Sequence, residues 1–363
     1  MILSPIGKLY GRVMDARNAL YDLGVLRSYS LGARATSVGN LTTGGTGKTP
    51  LVALIAEILL EAGETVCILT RGYGRANPKE RVLVADGETV LAEAAAGGDE
   101  PVELALRLGG RAVIVADADR LSAGRWARAK FGVTAFVLDD GFQHRRVRRD
   151  VDIVCIDATN PCGNGHILPA GKLRESFTGL RRADAIVLTR AELVAETSSI
   201  ESRLRRRNPA APIFRAATRR LGFMSLDEFR ADARSTLSGA AVPAGDPENE
   251  PVPLRFGAFC ALGNPEAFFS GLAATSTERA AELVYSRSFP DHYRFKQSDV
   301  DSLSNEAIAT GARSLVTTAK DAVKLGGLQF SLPCFVAIAE ASVDDQEAFR
   351  RLVLSDQVTD SGG

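Results

Sequence analysis

The run Val38-Gly39-Asn40-Leu41-Thr42-Thr43-Gly44-Gly45-Thr46-Gly47-Lys48-Thr49-Pro50 constrains this chain more than any other segment. An apolar stretch at 35–38 reads as a strand entering it, and an apolar stretch at 51–60 reads as a helix leaving it. Between them lies a glycine-rich loop closing on Gly-Lys-Thr. Glycines let backbone N–H groups turn toward phosphate oxygens, and the helix N-terminus adds the positive end of its dipole. In such a loop Lys48 reaches the outer phosphates and the Thr49 hydroxyl stands where Mg²⁺ binds. The pattern G-x-x-x-x-G-K-[ST] is incomplete, because Thr42 holds the place of its first glycine. The pair Gly44-Gly45 can supply the same backbone freedom. Strand, loop and helix in this order imply a nucleoside triphosphate site.

At 363 residues the chain suits one large or two ordinary domains. Its 44 basic and 44 acidic residues cancel, so no global field draws it to nucleic acid. Basic residues still cluster at Arg145, Arg146, Arg148 and Arg149, and at Arg203, Arg205, Arg206 and Arg207. Such clusters are solvated faces or surfaces turned toward an anionic substrate or lipid headgroup. The cysteines Cys67, Cys155, Cys162, Cys260 and Cys334 form no C-x-x-C pair, which suggests a reducing compartment and no zinc site. The N-terminus lacks the features of a signal peptide, and no window reaches the ~18 apolar residues of a spanning helix. A cytoplasmic location is the expectation. In the first thirty residues Ile6, Leu9, Tyr10, Val13, Leu20 and Leu23 recur at helical spacing among Lys8, Arg12 and Arg17. That helix either packs on its own domain or lies in a bilayer interface.

The remaining chain alternates strand, loop and helix. Apolar runs at 65–69, 112–116, 134–138, 151–156 and 185–188 are separated by helical patterns at 101–108, 121–130 and 193–207. Short runs apolar on both faces suit a parallel sheet covered by helices. The fold class expected is α/β, a doubly wound, mostly parallel sheet of phosphate-loop type, with a second, smaller α/β domain and an N-terminal amphipathic helix. The Pro- and Gly-rich stretch at 239–253 reads as an exposed linker. The expected division is therefore an N-terminal helix at 1–34, a nucleotide-binding domain at 35–218, a linker at 219–254 and a smaller domain at 255–363.

Several clusters carry chemistry. The apolar run 135–138 ends in Asp139 and Asp140, and acids at such a strand end hold Mg²⁺ or its waters opposite the loop threonine. Gly141-Phe142-Gln143-His144 adds polar groups beside them. Gly98-Asp99-Glu100-Pro101 opens a helix, an arrangement compatible with capping and with a functional carboxylate. Arg71-Gly72-Tyr73-Gly74-Arg75 and Asp117-Ala118-Asp119-Arg120 put guanidinium groups at strand ends, where arginine can grip phosphate bidentately. Leu168-Pro169-Ala170-Gly171-Lys172-Leu173-Arg174-Glu175 is a loop holding cations and an acid. His292 lies in Phe289-Pro290-Asp291-His292, and Thr318-Ala319-Lys320-Asp321-Ala322-Val323-Lys324 reads as a capped strand-to-helix turn.

Taken in order from about residue 39 to 324, these motifs resemble the lipid A 4′-kinase (tetraacyldisaccharide 4′-kinase) family. Two positions depart from its pattern: Ala319 where Glu is frequent, and Lys172 where Pro is frequent. The resemblance implies ATP- and Mg²⁺-dependent phosphorylation of the 4′-hydroxyl of a tetraacylated glucosamine disaccharide 1-phosphate. It places the protein at the cytoplasmic face of a bacterial inner membrane, with the N-terminal helix on the membrane and no nucleic-acid or obligate protein partner. By that resemblance Asp99 accepts the sugar hydroxyl proton, His292 is its partner from the other domain, and the pair forms when the domains approach. Lys48 and Asp139 join them in catalysis. Thr43, Gly44, Gly45, Thr46, Gly47, Lys48, Thr49 and Pro50 bind ATP, and Thr49, Asp139 and Asp140 bind the metal. Asn40, Arg71, Arg120, Gln143, His144, Arg174 and Glu175 are the substrate-binding candidates. A competing class is the deviant phosphate-loop partitioning ATPase, which carries Lys just before the double glycine; here that residue is Thr43.

Overall fold

The structure, a computed structural model, describes residues 3–235, 255–278 and 281–355. Its strands are β1 (Arg34–Asn40), β2 (Val66–Thr70), β3 (Val82–Asp86), β4 (Val113–Ala116), β5 (Ala135–Asp139) and β6 (Val151–Asp157). They continue as β7 (Ala185–Thr189), β8 (Ile213–Ser225), β9 (Arg255–Cys260), β10 (Glu282–Ser288), β11 (Leu315–Thr318) and β12 (Cys334–Val343). The chain divides into two compact units. One comprises Met1–Arg71, Asp117–Thr218 and Ala341–Gly363; the other comprises Gly72–Ala116 and Arg219–Glu340.

In the first unit the strands run parallel in the order β8-β7-β6-β1-β5-β2. Strands β2, β5, β6 and β7 are buried along their whole length, which is why they read as continuous Val/Ile/Leu runs. β1 lies between β5 and β6, with Val38 opposite Asp139 and Asn40 opposite Cys155. This register brings the entrance of the glycine loop and the two acids to one sheet end. The connection from β1 into helix Lys48–Glu61 turns at Gly47, whose φ of 71° is left-handed. Glycine adopts that conformation without the steric penalty of a Cβ.

In the second unit β10-β9-β11-β12 form a parallel set, and β3 pairs antiparallel with β4. Phe259, Leu303, Leu315 and Leu226 lie in its core. The sequence division differs from this arrangement in two places. Residues 72–116 belong with the C-terminal unit, because Arg107 donates to Ala339 O and Lys320 binds Glu100. Local patterning cannot reveal such partners, more than two hundred residues away. The start of the expected linker is also ordered structure: β8 runs to Ser225 and helix Leu226–Ser235 follows, with Leu226 buried. The Pro-rich stretch at 239–253 lies outside the described residues.

Helix Leu3–Asp22 belongs to the first unit and packs by its small and polar face. Gly7, Gly11 and Asn18 are the inward positions; a Cβ on Gly7 would stand 2.8 Å from Ile167 O, and Asn18 Nδ2 donates to Glu175 at 2.9 Å. The apolar stripe of Ile6, Leu9, Tyr10, Val13 and Leu20 faces outward, exposed. Packing on the domain and presenting an apolar face are therefore both realised, on opposite sides. Among the described residues no helix is long and apolar enough to cross a membrane.

Gly39 is the closest-packed point of the loop's entrance. A Cβ there would lie 2.5 Å from Phe142 Cβ and 2.7 Å from its backbone N. Gly39→Ala should lower stability by about 1–3 kcal/mol through overpacking, read as a lower urea midpoint at unchanged slope.

Candidate active site

The phosphate loop is held open by side chains of its own unit. Asn40 Nδ2 donates to Thr42 O at 2.7 Å and to Thr46 Oγ1 at 3.0 Å. Its Oδ1 accepts from Lys48 Nζ at 3.0 Å. Thr189 Oγ1 donates to Thr46 O at 2.7 Å, and Arg190 donates to Gly45 O at 2.9 Å. Thr43 N donates to Lys172 O at 2.7 Å, tying the loop to the segment that carries Arg174 and Glu175. Gly44 has a φ of 107° and open space where a Cβ would stand, so its amide side can approach a ligand. Lys48, Thr49 and Pro50 form the first turn of the helix, where proline's missing N–H costs no helical bond.

Asp139 and Asp140 end β5 differently. Asp139 is buried and accepts from Thr70 Oγ1 at 3.1 Å. Asp140 turns into the left-handed region (φ 54°) and lies between two cations, 3.1 Å from Lys48 Nζ and 2.6 Å from Arg174. Burial alone would raise its carboxyl, but Lys48 and Arg174 more than offset this and hold it well below the usual carboxylate range. Loop lysine, acid and arginine thus form one cluster of two cations about a single carboxylate, with an excess of positive charge.

The substrate-binding candidates differ in exposure and in partners. Arg174 is at the charge cluster, and Arg71 is exposed at the end of its strand. Arg120 is buried at the start of helix Arg120–Phe131. Glu175, only 1% exposed, accepts from Asn18, Gln143 and Arg182, so it braces the site from within. Gln143 bridges Glu175 to Asn40 O at 3.0 Å. His144 is part-buried; burial, then Arg120 and Arg149, push its pKa down to about 4.

The second unit carries its own constellation. Gly98, with φ 95°, turns the chain so that Asp99 begins helix Asp99–Arg107. Asp99 is 4% exposed, and His292 Nδ1 lies 3.0 and 2.9 Å from its two oxygens. The residues expected to pair across domains therefore belong to one compact unit and are already assembled. Burial raises the Asp99 carboxyl, but the His292 hydrogen bond, Lys320 and Lys324 outweigh it, leaving a net lowering. The bond to Asp99 raises His292 above its ordinary value, against burial and Lys320. A cavity of about 920 Å³ opens beside the pair, walled by Val90, Leu91, Val102, Leu106, Phe229 and Phe295. Arg75 of the Arg-Gly-Tyr-Gly-Arg motif braces its own loop, donating to Ala116 O, Pro78 O and Glu80 O.

Thr70, Arg190, Lys320, Asp321 and Lys324 support these clusters but lay outside the residues singled out for function. Of these, Lys320, Asp321 and Lys324 lie in the motif at 319–324 that carries part of the family resemblance, and alone that motif reads as a capped turn.

His144 makes the stability of the protein acid-sensitive. Its folded pKa lies below the unfolded value of about 6.5, so the unfolded state binds more protons between those limits. Stability should fall as pH drops from about 6.5 toward 4, and His144→Gln should flatten that dependence in denaturant titrations.

Comparison with known proteins places the chain in a family. The family model described as tetraacyldisaccharide-1-P 4′-kinase matches residues 1–357. A tetraacyldisaccharide 4′-kinase of Syntrophus aciditrophicus is 37% identical, over 97% of this chain and 92% of its own length. One from Anaeromyxobacter dehalogenans is 41% identical, over 85% of this chain and 76% of its own. A crystal structure of LpxK from Aquifex aeolicus in complex with ATP superposes with a TM-score of 0.71 at 30% identity, covering 96% of both chains. These matches displace the partitioning-ATPase alternative. The chain belongs to the tetraacyldisaccharide-1-P 4′-kinase family.

Proposed function

We propose that this protein transfers the γ-phosphoryl group of ATP to the 4′-hydroxyl of a tetraacylated glucosamine disaccharide 1-phosphate, in lipid A synthesis at the cytoplasmic face of the bacterial inner membrane. The observation that carries the reading is Lys48, held at the head of its helix by Asn40 and Asp140 in a chain matched to the family along nearly its whole length. The open amide side at Gly44 and the left-handed turn at Gly47 suit a triphosphate cradle. Thr49, Asp139 and Asp140 offer hard oxygen donors of the kind Mg²⁺ takes. Held by these residues, Mg²⁺ would supply positive charge against the negative charge that develops on the transferring phosphoryl group.

Phosphoryl transfer needs placement and charge compensation more than covalent help. The amides of residues 44–49 cradle the phosphates, and Lys48 exchanges Asp140 for phosphate oxygens. Arg174, paired with Asp140 in the same cluster, is the candidate grip on substrate or γ-phosphate, with Arg71, Arg120 and His144 as further contacts. Asp99 takes the proton of the acceptor hydroxyl, and His292 fixes that carboxylate and shares the proton. The bond from O4′ to the γ-phosphorus forms as the β–γ bridge breaks, giving ADP and the 4′-phosphate. The cavity beside Asp99 and His292 offers apolar walls to an acylated sugar. The outward stripe of Ile6, Leu9, Tyr10, Val13 and Leu20 rests on the membrane that holds the substrate.

Pure protein with ATP, Mg²⁺ and the disaccharide 1-phosphate in detergent micelles should yield a bis-phosphorylated product. Asp99→Asn and His292→Ala should each slow that transfer by ~10²–10⁴-fold, the scale of general-base loss. Near-normal rates in both folded variants would remove the pair from the mechanism. Replacing Ile6, Leu9 and Val13 together with Ser should abolish cosedimentation with anionic phospholipid vesicles while leaving ATP binding intact. Unchanged cosedimentation would count against the membrane-facing stripe.

A further inference from the structure

The turn after β11 places two lysines four residues apart, Lys324 beside the Asp99–His292 pair and Lys320 on the residues next to each member of it. Lys324 Nζ stands 3.7 Å from Asp99 Oδ2, with its side chain nine-tenths buried. It is fixed from behind by Asp321, 2.8 Å away and fully buried. Asp321 is itself anchored at two strand ends, accepting from Ala261 N at 3.0 Å and from Thr318 Oγ1 at 2.7 Å. The Phe295 ring lies 5.5 Å from the Lys324 amine and closes its remaining side. Lys320 Nζ is held by Glu100 at 2.8 Å and Asp291 at 3.1 Å, the residues that directly follow Asp99 and precede His292. Other charged or titratable groups near the pair include Asp291, 3.8 Å from His292 Nε2, Glu103 with Arg107, Arg294 bound to Gly74 O, Tyr73, whose tilted ring is centred 6.5 Å from that of His292, and Glu93, Asp227 and Arg230 in the adjoining cavity.

We propose that Lys320 and Lys324 are positioning residues that hold the Asp99–His292 pair in register and short of a proton, so that it can accept one from the acceptor hydroxyl. The inference rests on the role given to Asp99 above. Two ammonium groups penalise any added proton on the pair, and the low local dielectric makes that penalty larger than in water. Lysine at these places is not a generic surface charge. Lys324 has its position set by a buried carboxylate that is tied to β9 and β11, and Lys320 has its position set by the neighbours in sequence of both members of the pair. Both lysines add to the lowering of the Asp99 carboxyl, after its hydrogen bond with His292, and Lys320 opposes the rise that Asp99 causes at His292.

The test separates charge from fold. Lys320→Met and Lys324→Met each remove a cation, so the pair should take up its proton at higher pH. The acid limb of the kcat–pH profile should move upward by about one unit, and kcat on the steep part of that limb should fall ~10-fold. Raising the pH should restore the rate, and Lys324→Arg should restore it at the original pH. The KM for ATP should not change. A merely structural role would depress the rate equally at every pH and would overturn the proposal, as would a loss confined to KM. The chain has three histidines, so the His292 imidazole can be followed by proton NMR, its resonance identified by its loss in His292→Gln. Its titration should move to higher pH in both methionine variants. An unmoved titration overturns the inference whether or not the protein phosphorylates the lipid. A shifted titration without lipid phosphorylation by the unaltered protein would sustain the inference and sink the functional reading. If Lys324→Met does not fold, the same shift in Lys320→Met decides the matter.

Discussion

A carboxylate removed from water survives as an anion only where cations and donors are brought to it, and this protein meets that demand in each of its units. Asp140 is compensated by Lys48 and Arg174. Asp99 is compensated by His292, with Lys324 close by. Leaving such a charge unpaired costs about 3–5 kcal/mol when one partner is deleted, so these side chains have little freedom to go elsewhere. The same requirement orients them. An ammonium group held by one carboxylate is already directed toward the next negative group to arrive. Stability and readiness for a phosphate ligand therefore share one origin in the Lys48 cluster.

The sheet of the first unit makes such clusters possible. β1 and β5 are parallel neighbours, and their register puts Val38 beside Asp139. The chain leaves both strands at the same end, one into the glycine loop and the other into the acids. Behind them, Glu175 accepts from Asn18, Gln143 and Arg182, and Gln143 passes the constraint on to Asn40. A hydrogen-bonded interior of this sort braces the loop from behind. The N-terminal helix joins the network through Asn18, which explains why its inward face is small and polar while its apolar residues stay exposed.

In the second unit the economy of sequence is different. Asp99 and His292 are 193 residues apart, yet lie within hydrogen-bonding distance. The Lys320–Lys324 turn, read from sequence as a capped helix start, does cap: Thr318 accepts from Asp321 N. It also brings Lys324 to Asp99, and Lys320 to the neighbours Glu100 and Asp291. A residue can serve local structure and site electrostatics together, and local reading sees only the first.

The sequence alone determined the phosphate loop, the strand–helix alternation and the acids after β5, because backbone freedom at glycine and continuous apolar runs are local properties. It also carried the ordered motifs that identify the family. Only the tertiary structure decided that residues 72–116 join the C-terminal unit, that Asp99 and His292 form a ready-made pair there, and that the N-terminal helix turns its apolar stripe outward. It also decided that Glu175 is buried among Asn18, Gln143 and Arg182, and that Asp140 lies between Lys48 and Arg174. These outcomes depend on which distant side chains compete to neutralise or pack a group, and no window of neighbouring residues contains that competition.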